Sequence, residues 1–245
     1  MKKSTKIIII LLALVTVGLI AVATINSIKK SNELAAYSEW DYISGNDLNG
    51  HIDDHVIGNK DAKVKIIEYA DYQCSACAAS YPYVVDIAEE YGDNVALIFR
   101  TYVLSYHPNG NAVATAATAA GLQGYFEEYS ALVFSKQNDW YDLEGAERDA
   151  ALSGYLETVS NGSADMDKYR SDLKSSAIKD KIAFDRSLAS RIDLSATPTI
   201  YVNQQKYTIP SVKEAEFKSG LRNLIENALR EAGVEVESNS EPEAE

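Results

Sequence analysis

Hydrophobic positions divide the chain into an apolar N-terminal run, a region of alternating strand and helix patterns, and a polar C-terminal end. The run over residues 7–25 contains no charged side chain. As a helix it would span about 28 Å, close to the thickness of a bilayer's hydrocarbon core. It has no polar face, which argues against a buried helix of a globular domain. Residues 1–30 are therefore predicted to form a signal anchor or a signal peptide.

Two interpretations of this segment stay open. The small residues Ala21, Val22 and Ala23 resemble the site at which a signal peptide is cleaved. The length of the apolar run favours an uncleaved transmembrane anchor instead. Lysines within residues 1–6 favour a cytoplasmic N-terminus. Both interpretations place the rest of the chain outside the cytoplasm, and the anchor would make it a single-pass protein of the cell membrane.

Residues 31–50 are polar and irregular and predict a tether, after which the pattern becomes that of an α/β domain. Residues 64–70 are apolar and β-branched, as in a buried strand. Residues 77–91 have an apolar helical face that ends before a glycine. A second strand is predicted over 95–103. The opening unit is thus strand, helix and strand, joined by a parallel crossover.

The second half begins with a helical block at about 108–191, followed by two short strands and an amphipathic helix. The block contains predicted helices at 112–120, 125–134 and 143–159 and one continuous helix from 166 to 182. The strands at 199–203 and 206–209 form a predicted hairpin, and the last helix ends before Gly233. Residues 234–245 are acidic and predict a disordered tail.

Without the helical block, the order β-α-β followed by β-β-α is that of a thioredoxin core. The predicted fold class is therefore α/β, with a thioredoxin-like core and an inserted helical domain. This domain is expected over 51–233, preceded by the N-terminal transmembrane helix.

Composition excludes several classes of protein. At 46% apolar and 24% charged residues, the 245-residue chain has the composition of a globular protein. Its net charge of −13 argues against binding to nucleic acid, since the phosphate backbone favours Lys and Arg. Two cysteines cannot form a disulfide-rich scaffold or a four-cysteine zinc site.

The two cysteines, Cys74 and Cys77, lie between a predicted strand and a predicted helix. A cysteine at a helix N-terminus faces unpaired N–H groups and the positive end of the helix dipole, and both favour the thiolate. Cys77, one turn further on, would be shielded. Position therefore predicts that Cys74 is the sulfur that attacks or is attacked, and that Cys77 resolves a mixed disulfide.

Other interpretations of the cysteines are a structural disulfide, an inert pair or half of a zinc site. A disulfide that closes so short a loop adds little stability, which favours a redox role. Zinc would need two more ligands, and the chain has His51, His55 and His107. The alternation of His and Asp over 51–55 would suit a metal, but a solvated loop is the preferred interpretation. We expect no metal and no bound cofactor.

The chain resembles DsbA-like thiol–disulfide oxidoreductases of the single-chain, membrane-tethered type. Three further features, each weak alone, support this resemblance in their order and spacing: Glu68-Tyr69-Ala70-Asp71-Tyr72-Gln73 before Cys74, His107-Pro108-Asn109 with Gln123-Gly124-Tyr125-Phe126, and Thr197-Pro198-Thr199-Ile200-Tyr201-Val202-Asn203. The match covers about 55 to 230.

The resemblance implies roles for three more residues. The Thr197–Pro198 bond would be cis, face the cysteines and present backbone to a bound peptide. Glu68 would be a buried carboxyl that accepts a proton from Cys77, with a pKa raised by burial. The alternative for Glu68 is a residue at the end of a strand that reaches solvent.

Two departures from the family pattern bear on activity. Ser75 stands where the family usually has proline, and Ala76 stands where strongly oxidising members have histidine. A protein disulfide oxidase is the preferred prediction, with thiol-containing secreted or surface proteins as substrates and a membrane partner that reoxidises the pair. A reductase or isomerase, and a chaperone-like binding module with a structural disulfide, are the alternatives.

Overall fold

A computed structural model describes residues 3–211 and 213–236 of the chain. The chain separates into two units, residues 1–38 and residues 39–245. Most of the first unit is the helix α1 (Lys3–Leu34). Within it, the stretch Leu14–Leu34 is long and apolar enough to cross a membrane, judged by length and composition. A signal sequence has the same features, so the helix fits both of the predicted interpretations.

The second unit contains a five-stranded mixed sheet and eight further helices among its described residues. In chain order they are β1 (His55–Gly58), β2 (Val64–Ala70), α2 (Ser75–Glu90), β3 (Val95–Thr101), α3 (Gly110–Gly121), α4 (Phe126–Ser135), α5 (Gln137–Trp140), α6 (Gly145–Val159), α7 (Met166–Asp172), α8 (Ser176–Arg191), β4 (Thr199–Val202), β5 (Gln205–Tyr207) and α9 (Glu214–Glu231).

The strand order β1-β3-β2-β4-β5 confirms the predicted thioredoxin-like core. β2 and β3 pair in parallel across α2, with Val64 opposite Val95. β4 then pairs with β2 in the antiparallel sense, and β5 pairs with β4. The helices α3 to α8 lie between β3 and β4 in the chain, as predicted for the inserted helical domain.

Side chains alternate along β2 between two cores, as the two-residue period of a strand requires. Ile66 and Ala70 pack into the larger core together with the apolar faces of α2 and α9 and residues of the helical domain. Ile67 and Tyr69 face the opposite side of the sheet, where the end of α8 and Trp40 cover them. Both faces of the central strands are therefore buried, which explains why 64–70 and 95–101 are apolar almost throughout.

The predicted tether over 31–50 is corrected by the structure. Residues up to Leu34 continue α1, and residues from Glu39 onward belong to the second unit. Ile43 and Asn49 are buried there. Gly50 has a φ of +65°, and a Cβ at this position would lie 2.3 Å from the carbonyl oxygen of Ala177. The segment thus packs closely against the start of α8.

Asp54 explains why this segment is held. The prediction of a solvated loop over 51–55 is wrong at Asp54, which is buried and bonded to Arg100 at 2.8 Å and to Lys181 at 2.8 Å. Lys181 also lies 2.5 Å from Asp185. Arg100 donates further hydrogen bonds to the carbonyl oxygens of Glu39 and of the nearby residue 41. These buried charges join residues 39–54 to β3 and α8.

Three further boundaries differ from the prediction. The edge strand β1 was not predicted, because a four-residue strand of which two residues are polar or glycine carries little pattern. The predicted helix from 166 to 182 is two helices, since Ser175 caps α8 by accepting a hydrogen bond from the N–H of Ala177. Of the predicted acidic tail, residues 237–245 lie outside the described residues, and Val234 and Val236 pack against the core.

Candidate active site at the start of α2

The turn between β2 and α2 is buried and held by its own backbone. Cys74 occupies the N-cap position of α2, with extended backbone angles. Its N–H donates to the carbonyl of Asp71 at 3.0 Å, and its carbonyl accepts from the N–H of Ala78 at 3.0 Å. The N-terminal end of the helix therefore faces the cysteine side chain, as the sequence predicted.

The Asp71 carboxylate ties this turn to the loop that follows β3. Its oxygens accept hydrogen bonds from the N–H groups of Gln73 and Leu104, at 2.9 and 2.8 Å. His107 Nδ1 lies 2.7 Å from the same carboxylate. The Asp71 carboxylate therefore binds the His107 ring as well as two backbone N–H groups. His107 is a loop residue at the edge of the site, and its contact with Asp71 holds the two loops together.

The Cys74 sulfur is almost buried, with 9% of the residue exposed. When protonated, its thiol donates to the carbonyl oxygen of Thr197 at 3.4 Å. Hydrogen bonding from the Cys77 thiol lowers the pKa of Cys74 to about 5, against the opposing effect of burial. Hydrogen bonds from the N–H groups of residues 76 and 77 also lower this pKa. Cys74 is therefore a thiolate at neutral pH.

Cys77 has the opposite character. It is fully buried, and burial raises its pKa well above the ordinary value. The neighbouring Cys74 raises it further. Both cysteines are free in the structure, which is thus the dithiol form. An acidic thiol at the N-cap of α2 and a fully buried, weakly acidic thiol suit the attacking and the resolving role, respectively.

The loop before β4 lies beside the cysteines, as predicted. The Thr197–Pro198 peptide bond is cis. Thr199 pairs with Tyr69 across the sheet, which places the loop next to the end of β2. The Thr197 hydroxyl is buried and has no hydrogen-bond partner within the described part of the chain. Pro198 is partly exposed, and the carbonyl of the preceding Thr197 lies within hydrogen-bonding distance of the Cys74 sulfur.

Glu68 is fully buried, and the alternative of a solvent-reaching strand-end residue does not describe it. Its position in β2 places it on the same side of the sheet as Ile66 and Ala70, which belong to the core that contains Cys77. Neither carboxylate oxygen has a hydrogen-bond partner among the residues that the structure describes. Burial raises the pKa of Glu68 to about 8, so it is mainly protonated at neutral pH.

Sequence reasoning missed two glutamines at this site. Gln73 accepts from the N–H of Asn109 at 2.7 Å and donates to the carbonyl of Tyr141 at 3.2 Å. Gln137, at the start of α5, donates to the carbonyls of Tyr72 and of the adjacent Cys74. Gln73 belongs to the sequence motif that supports the family resemblance, but sequence reasoning gave its amide no role. Gln137 lies 63 residues from Cys74, and no local pattern indicates it.

The described residues contain no group of three His, Cys, Asp or Glu side chains placed to hold a metal ion. The chemistry that the arrangement supports is carried by the two cysteine sulfurs. A thiolate at a helix N-terminus, a shielded second thiol and an adjacent cis-proline backbone can exchange a disulfide with a peptide through a mixed disulfide.

Comparison with known proteins gives a family that agrees with the observed fold. The thioredoxin family model matches residues 51–227. Among solved structures, BdbD from Bacillus subtilis in its oxidised form has a TM-score of 0.56 at 22% identity, covering 78% of this chain and 99% of its own. The alpha-DsbA1 of Wolbachia pipientis has a TM-score of 0.56 at 24% identity, covering 73% and 94%.

Curated relatives include a Na⁺/H⁺ antiporter NhaA 1 from Mycolicibacterium gilvum, which is 30% identical over 162 residues. The matched region is 64% of this chain and 24% of the antiporter. The chain thus spans about a quarter of the length of this relative. The family model, the sheet order and the cysteine turn agree: the chain belongs to the thioredoxin family, and its fold, with the inserted helical domain, is similar to that of BdbD and alpha-DsbA1.

Proposed function

We propose that this protein is a membrane-anchored, extracytoplasmic protein disulfide oxidase. The observation that carries the proposal is the placement of the two thiols, Cys74 at the N-cap of α2 and Cys77 fully buried one turn further on. This placement lowers the pKa of Cys74 to about 5 and raises that of Cys77 well above its ordinary value. A stabilised Cys74 thiolate favours the reduced form of the pair, and this makes the disulfide a better oxidant.

The reaction transfers two electrons from substrate to enzyme. A substrate thiolate attacks Cys74 in the Cys74–Cys77 disulfide, the S–S bond breaks, and Cys77 leaves and takes up a proton. A second substrate thiolate then attacks the substrate sulfur of the mixed disulfide. This step forms the substrate disulfide and releases Cys74 as a thiolate, which its low pKa makes a good leaving group.

The surroundings of the pair have complementary tasks in this proposal. The backbone at Thr197 and Pro198 aligns the substrate peptide beside the Cys74 sulfur. Glu68, mainly protonated at neutral pH, exchanges a proton with Cys77 as that thiol leaves or attacks. A membrane protein of thiol–disulfide chemistry reoxidises the pair, and the helix α1 keeps the domain at the surface where secreted and surface substrates emerge.

Trapping the mixed disulfide tests this function. Full-length C77S, with an epitope tag, is expected to accumulate covalent complexes with surface and secreted proteins that disappear on reduction with dithiothreitol. C74S is the matched control, since it retains one thiol but lacks the attacking one. Equal trapping by the two variants would contradict the assignment, and trapping by neither would favour the binding module with a structural disulfide.

A reductase on the same fold is the second candidate, favoured by the residues between the cysteines. Ser75 and Ala76 supply no positive charge to the thiolate. The wild-type protein should accelerate disulfide formation in a reduced, unfolded substrate when oxidised glutathione is present. A reductase would instead show its activity as faster reduction of insulin disulfides by dithiothreitol, with no gain in the oxidative assay.

A further inference from the structure

Cys74 is held by the inserted helical domain as well as by its own turn. The backbone on the N-terminal side of Cys74 is fixed by the hydrogen bond to Asp71, and its carbonyl accepts from Ala78 in the first turn of α2. Both of these partners lie within four residues of Cys74. A side-chain donor to the Cys74 carbonyl comes from Gln137, which lies 63 residues further along the chain.

Gln137 donates two hydrogen bonds through the same side-chain nitrogen. Its Nε2 donates to the carbonyl of Tyr72 at 2.8 Å and to the carbonyl of Cys74 at 3.1 Å. Both acceptors are carbonyl oxygens, so only the NH₂ end of the amide can face them. The side chain is buried, with 7% of the residue exposed, and α5 is anchored beneath it by the fully buried Trp140.

We propose that Gln137 is a positioning residue for the Cys74 thiolate. Because the direction of a carbonyl fixes ψ of its residue, holding the Cys74 carbonyl keeps the sulfur over the N-terminus of α2, where N–H groups of residues 76 and 77 stabilise its charge. The positive end of the NH₂ dipole also offsets the partial negative charge of the two carbonyl oxygens, which would otherwise repel the thiolate. The inserted domain thus tunes the nucleophile that the thioredoxin core provides.

The neighbouring amides support the same arrangement. Gln73, which precedes Cys74, bonds to Asn109 at the N-cap of α3 and to the carbonyl of Tyr141 just after α5. Asn109 donates to the same Tyr141 carbonyl at 2.9 Å and accepts from Arg148 at 3.0 Å. Both sides of the Cys74 turn are therefore bonded to the segment that begins at Gln137.

The test is a pH titration of the Cys74 thiolate in the reduced full-length protein, followed by absorbance at 240 nm and by alkylation with iodoacetamide. Gln137→Met keeps the size of the side chain and removes the donor. We expect the Cys74 pKa to rise by about one unit, and the equilibrium with glutathione to move several-fold toward the enzyme disulfide. The inference rests on the proposed role of Cys74, but the titration needs no substrate and no oxidase activity.

The matched control is Gln123→Met. Gln123 forms a comparable pair of hydrogen bonds, with the backbone of Asp165, inside the helical domain and away from the cysteines. This variant is expected to lose stability and to retain the wild-type titration. If Q137M loses stability but titrates as the wild type does, Gln137 is structural only and the proposal is overturned.

A second variant covers the case in which Q137M does not fold. Gln137→Glu keeps the shape of the side chain, and its ionised form places negative charge against the two carbonyls. It should raise the Cys74 pKa above the wild-type value, and an unchanged titration would also overturn the proposal. A wild-type pair that proves reducing would contradict the proposed oxidase, while a shifted titration in Q137M would still support the positioning role.

Discussion

At the scale of single residues, two thiols of the same chemistry have different acidity because they lie in different surroundings. Cys74 lies at the mouth of a helix N-terminus and receives hydrogen bonds, while Cys77 lies one turn inside and is fully buried. The largest contribution to the low pKa of Cys74 is its hydrogen bond from Cys77, so the two thiols depend on each other. Neither residue would have this acidity alone.

This dependence predicts the effect of removing the second thiol. Cys77→Ala should raise the pKa of Cys74 from about 5 toward its ordinary value. Thr197→Val should change it little, because the Thr197 hydroxyl forms no hydrogen bond within the described part of the chain and valine keeps the backbone carbonyl that faces Cys74. Thiolate absorbance measured between pH 3 and 10 checks both variants. A Cys74 pKa unaffected by loss of Cys77 would show that the helix N-terminus alone sets its acidity.

Glu68 should impose a pH-dependent cost on the fold. Its folded pKa of about 8 lies above the ordinary value of 4.5, so the native state holds a proton that the unfolded chain releases. Stability from this group is complete below pH 4.5 and is lost as the pH rises to about 8. Over this interval the free energy of unfolding of the wild type should therefore fall by on the order of a few kcal/mol relative to that of Glu68→Gln.

Urea unfolding of both proteins at pH 5, 7 and 8.5 measures this difference. The free energies of unfolding should diverge with rising pH in favour of the glutamine variant. Asp86→Asn, a half-exposed carboxylate on α2 that is paired with Lys218, is a control that should not reproduce the divergence. Parallel curves for wild type and E68Q would mean that Glu68 is not a proton-holding group in the fold.

Sequence reasoning located the residues whose chemistry is encoded locally. The cysteine spacing, Pro198 before a strand and the lone carboxylate of β2 are all visible in short windows. Gln137 and Asp71 were missed as functional residues, since their importance arises from partners brought close only by the fold. Long-range hydrogen bonds to backbone carbonyls leave no periodic signal in a sequence.

At the scale of elements, apolar periodicity predicted the central strands and most helices because both are buried in regular patterns. It did not predict that residues 39–54 pack on the domain, since the segment is polar and is held by buried charge. Its Asp54 contacts Arg100 of β3 and Lys181 of α8, and these partners lie 46 and 127 residues away. The pattern of polar residues alone resembled a tether.

The buried charges predict a large effect for one helix residue. Lys181→Met would leave Asp54 and Asp185 buried without their shared cation, at an expected cost of about 3–5 kcal/mol in the free energy of unfolding. Lys179→Met, an exposed position on the same helix, is the control and should change stability by less than about 0.5 kcal/mol. Denaturant unfolding at neutral pH measures both, and similar values would contradict the structural importance of the cluster.

At the scale of the whole molecule, the chain consists of two units, residues 1–38 and residues 39–245. The helix α1 contains a stretch of 21 residues that fits a bilayer, and the folded unit that begins at Glu39 contains the complete cysteine site. The net charge of −13 argues against binding of the chain to anionic lipid through basic side chains. In the proposed function, α1 sets the place of the reaction and the folded unit supplies its chemistry.

The reduction potential of the Cys74–Cys77 pair tests the central claim most directly. It is measured on the full-length protein in detergent, equilibrated in glutathione buffers at pH 7 and resolved by thiol alkylation. The low pKa of Cys74 predicts a potential at or above about −180 mV, within the range of protein disulfide oxidants. A potential near about −270 mV, the value of thioredoxin, would contradict the oxidase and identify the protein as a reductase.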